Sequence, residues 1–413
     1  MSRSHSRFHT VLNKALTPLG VALACSGLPA GASAQSLTED VTSMISEGTS
    51  HLALRYRFEQ VEQDNALRDA TASTLRTRLS FQSAPARGFS LALEADSIST
   101  LGSDRYDSFA LDRYRGRYSV IADPVGTEIN VASVRYKPNA DSQYSLGRQR
   151  LNHANQRFLG SVGFRQNEQT MDSFSYHRQS GSLTLDYSYL WNVNRIFGGD
   201  HTSMQVTDFD SNSHALLLGS KQDWGTLSGF AYALDFDNAR TASSLSYGLS
   251  YQGKVKAISL LASVALQQDY GDNPLSYDAA YWLLEGSGQL GGLNWLLGAE
   301  SLGSDDGATA FSTPLATLHR YQGFADMFLG TPAAGLEDYY LTLGTSREQW
   351  SLSFTAHDFH ASEGSQDYGT EWDVVASYRI NGNFNLEAKF ASYDRDHFGV
   401  DTNKLWLTLN VIF

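Results

Sequence analysis

Apolar and polar side chains alternate with period two along most of the chain. Leu52, Leu54, Tyr56 and Phe58 share one parity, while Arg55, Arg57 and Glu59 share the other. Phe89, Leu91, Leu93 and Ala95 alternate with Glu94 and Asp96, and Leu183 to Tyr189 and Leu245 to Tyr251 alternate with Ser, Thr and Asp. The pattern returns in Trp350 to Ala356, Trp372 to Ile380, Phe384 to Phe390 and Leu405 to Phe413. Period two predicts strands with one apolar and one polar face. Beyond residue 34 no apolar run reaches the ~18 residues of a spanning helix.

Connections between these strands form a second regularity. Short links at Ser83–Gly88, Pro138–Ser142, Arg178–Gly181, Lys221–Gly225, Gln252–Lys254, Ser287–Gly291, Ser346–Glu348 and Asn381–Gly382 alternate with longer polar ones. The long links centre on Asp64, Thr100–Gly126, Asn152–Glu168, Asp200, Asp237, Asp272, Gly303–Gly335, Glu363 and Asp396. Strict alternation pairs each strand with its sequence neighbour and gathers the tight turns at one end. The prediction is an all-β, antiparallel up-and-down transmembrane β-barrel of about 18 strands, its tight turns on the periplasmic side.

A soluble β-protein alternates too, but here the apolar face stays wide on nearly all strands. Aromatics make up 12% of residues, with Tyr and Trp near strand ends, yet mean hydropathy is only -0.32. An apolar outside around a polar lumen reconciles the two. The chain ends KLWLTLNVIF, and its terminal Phe413 resembles the signal that barrel-assembly machinery reads. The expected location is the outer membrane of a Gram-negative bacterium, with lipid, lipopolysaccharide and that machinery as partners.

The first 34 residues carry Arg3, Arg7 and Lys14 before an apolar stretch closing on Ala32-Ser33-Ala34, a small-x-small cleavage pattern. Residues 1–34 are therefore expected to be a signal peptide, 35–49 a short periplasmic segment and 50–413 the barrel. Cys25, the one cysteine, falls in the signal, which leaves no disulfide chemistry. Removing three of 31 cations leaves 28 against 44 acidic residues, a formal -16, and argues against nucleic acid as a partner.

The polar parity then says what lines the lumen. Pairing across Ser83–Gly88 sets Leu79 opposite Leu93 towards lipid, and Arg78 opposite Glu94 and Arg76 opposite Asp96 inside, as an ionic ladder. Arg55, Arg57 and Arg135 are lumenal by the same rule, with Glu59 and Glu128 as candidate partners. An arginine wall favours anions.

GRQRLNHANQRFLGSVGFRQNEQTMDSFSY from Gly147, with STLRTRLSF, EINVASVRYK and FSTPLATLHRYQGFADMFLGTP, is similar to the alginate export family of outer-membrane barrels. The resemblance covers essentially the whole chain after the signal. It implies a monomeric barrel passing an anionic polyuronate along a charged lumen, with Arg76, Arg78, Arg148, Arg150, Arg157 and Arg165 at matching positions. Unbroken parity from Tyr144 and Leu146 would turn Arg148 and Arg150 outward, so a bulge at Gly147 or an early strand end is required.

Thr313 to Gly330 breaks the strand pattern. Thr313 suits a cap, Pro314 a first helical position, and Leu315, Leu318, Tyr321, Ala325 and Phe328 recur at helical spacing. A short amphipathic helix in a long extracellular loop is predicted, presenting His319, Arg320 and Asp326 at the mouth as a gate or as a stiffener. His360-Ala361-Ser362-Glu363-Gly364 spells a His-x-Ser-x-Gly hydrolase motif without an oriented third group. Asp305-Asp306-Gly307 and Asp394 to Asp401 could bind divalent cations at lipopolysaccharide, but turn chemistry explains them as well, and His201 and His214 suit rim or strand positions better than ligand roles. No catalysis, metal or cofactor is expected. The expected function is a channel for anionic solutes such as uronic-acid saccharides; the alternative is a general or plugged barrel with an adhesive or structural task.

Overall fold

A computed structural model describes residues 34–110, 113–198 and 207–413. Residues 1–33, which hold Cys25 and nearly all of the expected signal, lie outside the described residues, as does His201. The barrel opens with β1 (Thr49–Gln63), β2 (Ala70–Gln82), β3 (Phe89–Arg105), β4 (Gly126–Tyr136), β5 (Ser142–Gln149) and β6 (Thr170–Ser180). It continues through β7 (Leu183–Asn194), β8 (Asp208–Gln222), β9 (Gly225–Leu234), β10 (Ser244–Val255), β11 (Ile258–Asp269), β12 (Asp278–Leu290) and β13 (Leu293–Leu302). A small hairpin, β14 (Ser304–Asp305) and β15 (Thr309–Ala310), precedes β16 (Leu336–Arg347), β17 (Trp350–His360), β18 (Asp367–Arg379), β19 (Phe384–Arg395) and β20 (Thr402–Ile412).

Among the described residues, 18 of these strands make one sheet, each antiparallel to its chain neighbour, and β20 pairs with β1 to close it. Closure leaves no strand edge, the condition for a sheet to stand in lipid. Alternation decides the faces as predicted. Leu79 and Leu297 point outward at 59% and 60% exposure, whereas Ser188, Ser213 and Asp96 are buried inside. Outward rings form two belts. Phe89–Tyr136 and Trp224–Tyr251 stack, and Trp350–Tyr378 pack tilted, near the short turns; Tyr189, Trp191, Trp282, Tyr339 and Trp372 lie towards the long loops. Paired aromatic belts match the two interfaces of a bilayer.

One expectation fails locally. The segment Thr313–Gly330 is not an α-helix; it holds only the single turn Leu318–Arg320. Its backbone groups bond outward instead: Thr317 N donates to Gln156 O, Leu315 O accepts from Gly160 N, and Ala325 N donates to Glu371 Oε1. Gln322, Gly323 and Asp326 all sit at positive φ, which a helix excludes. Residues 35–49, expected to be a short periplasmic segment, mostly fold into a helix, α1 (Ala34–Ser46).

The last strand is tied to the first by Phe413 N to Leu52 O (2.8 Å) and Leu52 N to Phe413 O (3.2 Å). Deleting Phe413 removes both bonds and the terminal side chain. The expected result is less heat-modifiable barrel in outer-membrane fractions, with unchanged conductance per folded channel; gel shift and single-channel recording measure the two.

Candidate functional site in the charged lumen

The lumenal ladder on β1, β2 and β3 is real but slipped from its expected register. Arg78 stands opposite Asp96, and Arg76 opposite Ile98 rather than Asp96. The cause lies in the turn. Arg87 and Gly88 both adopt positive φ in a tight hairpin, and the Ser83 hydroxyl accepts the Leu91 N–H that a backbone carbonyl would take (2.8 Å). The slip is two residues, so parity and the lumenal facing survive. Arg78 donates to both Asp96 oxygens (2.7 and 2.6 Å), lies 3.2 Å from Glu94 and reaches Glu168 at 2.9 Å.

Arg55 stands directly opposite Arg76. Arg55 donates to Asn410 Oδ1 (3.1 Å) and to the carbonyls of Gly163, Phe164 and Arg165 (3.0, 3.2 and 3.3 Å). Arg57 donates to Phe164 O (2.7 Å) and lies 3.8 Å from Asp123. Arg76 donates to Gln166 O (3.4 Å) and lies 3.6 Å from Glu168. Carbonyls of residues 163–165 supply most of the partners of Arg55 and Arg57. Arg135 keeps the expected lumenal parity, and its Nε is buried without a hydrogen bond. Glu59 serves Arg165 instead, and Glu128 faces Asp96 across β3–β4.

Those carbonyls belong to the loop 150–169, which folds inward after β5. Arg157 is buried on Glu300 (2.6 Å) and the Thr313 hydroxyl (2.8 Å). Arg165 holds Glu59 (3.1 Å) and Asp326 (3.1 Å). Arg150 reaches Glu94 and Glu168. Of the two devices predicted to admit Arg150, the early strand end operates: β5 stops at Gln149, while Gly147 stays in register with Ser133 and Ser173. Arg148 remains on the parity of Leu146. It is bonded to Asp172 (2.7 and 3.1 Å) and to Ile129 O (3.1 Å), bridging β4 and β6 where β5 ends. A polar cavity of about 300 Å³ lies at this seam.

The loop 303–335 meets the first one inside the barrel. Leu159, Phe311, Leu315 and Phe328 are buried against Phe230, Tyr232, Tyr281, Phe359 and Tyr393 of the wall. Each contributes ~1.5–3 kcal/mol through apolar burial. The lumen is thus not polar throughout, as alternation alone implies; its extracellular half contains an apolar core. His319 latches the two loops. Its ring stacks on Phe164 at 3.5 Å, Nδ1 bonds Asp326 (2.7 Å) and Nε2 meets Lys389 Nζ (3.1 Å). An ammonium can only donate, so Nε2 accepts and the imidazole is neutral, with Nδ1–H donated to Asp326. Burial lowers the His319 pKa to about 3. Burial opposes ionisation of Asp326, but His319, Lys404 and Arg165 outweigh it and hold the carboxyl well below its usual range.

Lys389 and Lys404 extend the cationic wall onto β19 and β20, a contribution the arginine count overlooked although both sit at alternating positions beside Phe390 and Leu405. Lys404 lies 3.1 Å from Asp326. Facing them, β13, β16, β17 and β18 carry Glu300, Asp338, His357, Asp373 and Glu371. Glu371 and Asp373 accept the N–H groups of Ala325 (2.7 Å) and Phe324 (3.3 Å). A Cβ at Gly323 would run into the Glu371 carboxylate, so this approach needs glycine. A hollow of about 440 Å³ between β11 and β18 is lined by Ser259, Ser287, Asn294, Thr342, Ser351 and Ser353. Arg320 is exposed on its turn. His214 shares an outer hydrogen bond with Tyr187 (2.9 Å). In the hydrolase-like motif, His360 spends Nδ1 on Asp367 (2.8 Å) and Nε2 on Asp358 (3.2 Å), and the Ser362 hydroxyl donates to Ala334 O (3.2 Å). The motif does not assemble a nucleophile and base.

The architecture has close structural counterparts. OccAB2 of Acinetobacter baumannii superposes with a TM-score of 0.69 at 16% identity, over 90% of this chain and 99% of that one. OccK9 (OpdG) of Pseudomonas aeruginosa gives 0.68 at 18%, over 90% and 100%. OpdK of Pseudomonas aeruginosa, solved with vanillate, gives 0.67 at 16%, over 89% and 99%. The fold is shared with the Occ barrels. No family model matches the chain, and no curated protein matches it. A place in the alginate export family finds no support in these comparisons; the likeness they give is one of fold, to the Occ barrels.

Arg165→Gln strips Glu59 and Asp326 of a buried partner, which costs about 3–5 kcal/mol of loop packing. The barrel should remain heat-modifiable while residues 150–169 become protease-sensitive and the current noisier. The latch should also depend on pH. Between an ordinary 6.5 and about 3, a released His319 binds a proton that the docked ring refuses; docking is complete above pH 6.5 and weakens as pH falls. Loss of Asp326 ionisation acts in the same direction at lower pH. Proteolysis of the loop at stepped pH measures this.

Proposed function

We propose that the chain is an outer-membrane channel for small anionic solutes, carboxylates above all. The observation that carries the reading is the Arg55–Arg76 pair. Like charges directly opposite one another on neighbouring strands are destabilising, and among the described residues Arg55 is held by carbonyl dipoles and an amide rather than by a carboxylate within ion-pair distance. Dipoles orient an arginine without cancelling its charge, so the wall keeps a positive field where a solute would pass. Lys389, bonded to the neutral His319, adds a further cation on β19, whereas Arg57, Arg76 and Lys404 are each beside a carboxylate.

Solute size follows from the loops. Two of them pack apolar and ionic contacts across the extracellular half of the lumen, which suits a small solute better than the polyuronate strand implied by the earlier resemblance. The vanillate in the OpdK structure is a small carboxylate of this kind. The neutral hydroxyl wall from Ser259 to Ser353 gives such a solute a weak surface to leave by, since conduction needs release as well as capture.

Reversal potential across a KCl gradient tests the reading. Wild type should prefer chloride, and Arg55→Gln should reduce the anion/cation permeability ratio by roughly a factor of two or more, with the folded amount unchanged. Arg78→Gln should move selectivity towards cations more strongly, because it releases Glu94 and Asp96 together. No anion preference in wild type would favour a general porin, and no current at all a plugged barrel.

A further inference from the structure

The helix α1 takes no part in the lumenal path, and its two sides are unlike. Met44, Val41 and Ile45 fall within an arc of roughly 100° at 3.6 residues per turn, with Glu39, Thr42 and Ser46 on the other side. One flank is fixed to the barrel. Met44 is buried and its carbonyl accepts from Ala84 N (3.0 Å), while Asp40 pairs with Arg87 (2.7 Å), so the helix is tied to the β2–β3 turn at the short-turn end. Just after the helix, a Cβ on Gly48 would stand 2.5 Å from the ring of Phe81. Phe81 shares the outward parity of Leu79. The helix therefore joins the barrel at the lower margin of its lipid-facing surface.

Val41 and Ile45 remain 53% and 60% exposed there. They lie one turn apart on one stripe, and the outward residues Leu52, Leu79 and Leu93 continue the same apolar surface up the strands. We propose that α1 is an interfacial anchor, lying along the inner leaflet with Val41 and Ile45 at the boundary between headgroups and acyl chains. An amphipathic helix with a strongly polar reverse side is the form that settles at such a boundary. Its charge selects the lipid: Asp40 is neutralised by Arg87, and Glu39 in the helix with Glu47 just after it leaves this segment acidic, which fits a zwitterionic phosphatidylethanolamine surface rather than an anionic one. Anchoring here fixes the mouth of β1 and β2, the strands that carry Arg55 and Arg76.

Single-cysteine chains test this, with Cys25 replaced by Ser and a polarity-sensitive fluorophore at position 39, 41, 42 or 45, or at 79 as a lipid-facing reference. Barrel closure is verified by heat modifiability, and the labelled proteins are placed in phosphatidylethanolamine-rich vesicles containing nitroxide-tagged acyl chains. Labels at 41 and 45 should be quenched at least about threefold more than labels at 39 and 42, approaching the label at 79. Equal quenching at all four helix positions would overturn the proposal. So would a fluorescence shift at 41 and 45 that ignores the nitroxide and grows with protein density, which would assign the face to a second copy of the chain.

Discussion

Two arginines cannot face each other across neighbouring strands unless something holds them. Arg55 and Arg76 do so on the lumenal wall, and the backbone of residues 163–166 does the holding: carbonyls of Gly163, Phe164 and Arg165 take Arg55, and that of Gln166 takes Arg76. Much of the interior is organised by this requirement. The loop must thread into the barrel to deliver those carbonyls, β5 must end at Gln149 to release it, and Arg148 must bridge the seam that the short strand leaves. Phe164 then sits under Arg57 at 4.2 Å and against His319 at 3.5 Å, which draws in the second loop.

A polar lumen and a folded interior make opposing demands, and the chain meets them at different heights. Towards the extracellular side the loops bring their own apolar side chains, so Phe311, Leu315 and Phe328 pack on wall aromatics as they would in a soluble core. Buried charges at the same level include matched pairs: Arg157 on Glu300, Arg165 on Glu59 and Asp326. Below them the wall turns to serine and threonine. A buried mismatch would cost several kcal/mol, which is why the unmatched charge of Arg55 is informative about function and not merely about packing.

Strand parity made the barrel, its strand number, its lipid face and the lumenal position of Arg55, Arg57, Arg76 and Arg78 readable from the chain, because one face meets lipid and a single-residue slip would reverse every side chain. Register was less readable. A two-residue slip keeps parity, and only the Ser83 hydroxyl and the Arg87-Gly88 turn decide that Arg78 meets Asp96. The loops were least readable. Helical spacing in Thr313–Gly330 correctly marked Leu315, Ala325 and Phe328 as buried, but their burial comes from separate contacts with the wall, and spacing does not distinguish a helix from an irregular segment pinned at the same points. Glu168, which serves Arg76, Arg78 and Arg150 together, stood in a polar stretch with nothing local to single it out.

We propose that small carboxylates are held in the lumen by the charge of its wall. Interruption of single-channel KCl current by benzoate and by benzamide, which share size and ring but differ in charge, addresses it most directly. Benzoate should produce concentration-dependent blocking events that benzamide at the same concentration does not. Equal block by both, or block by benzamide alone, would contradict it.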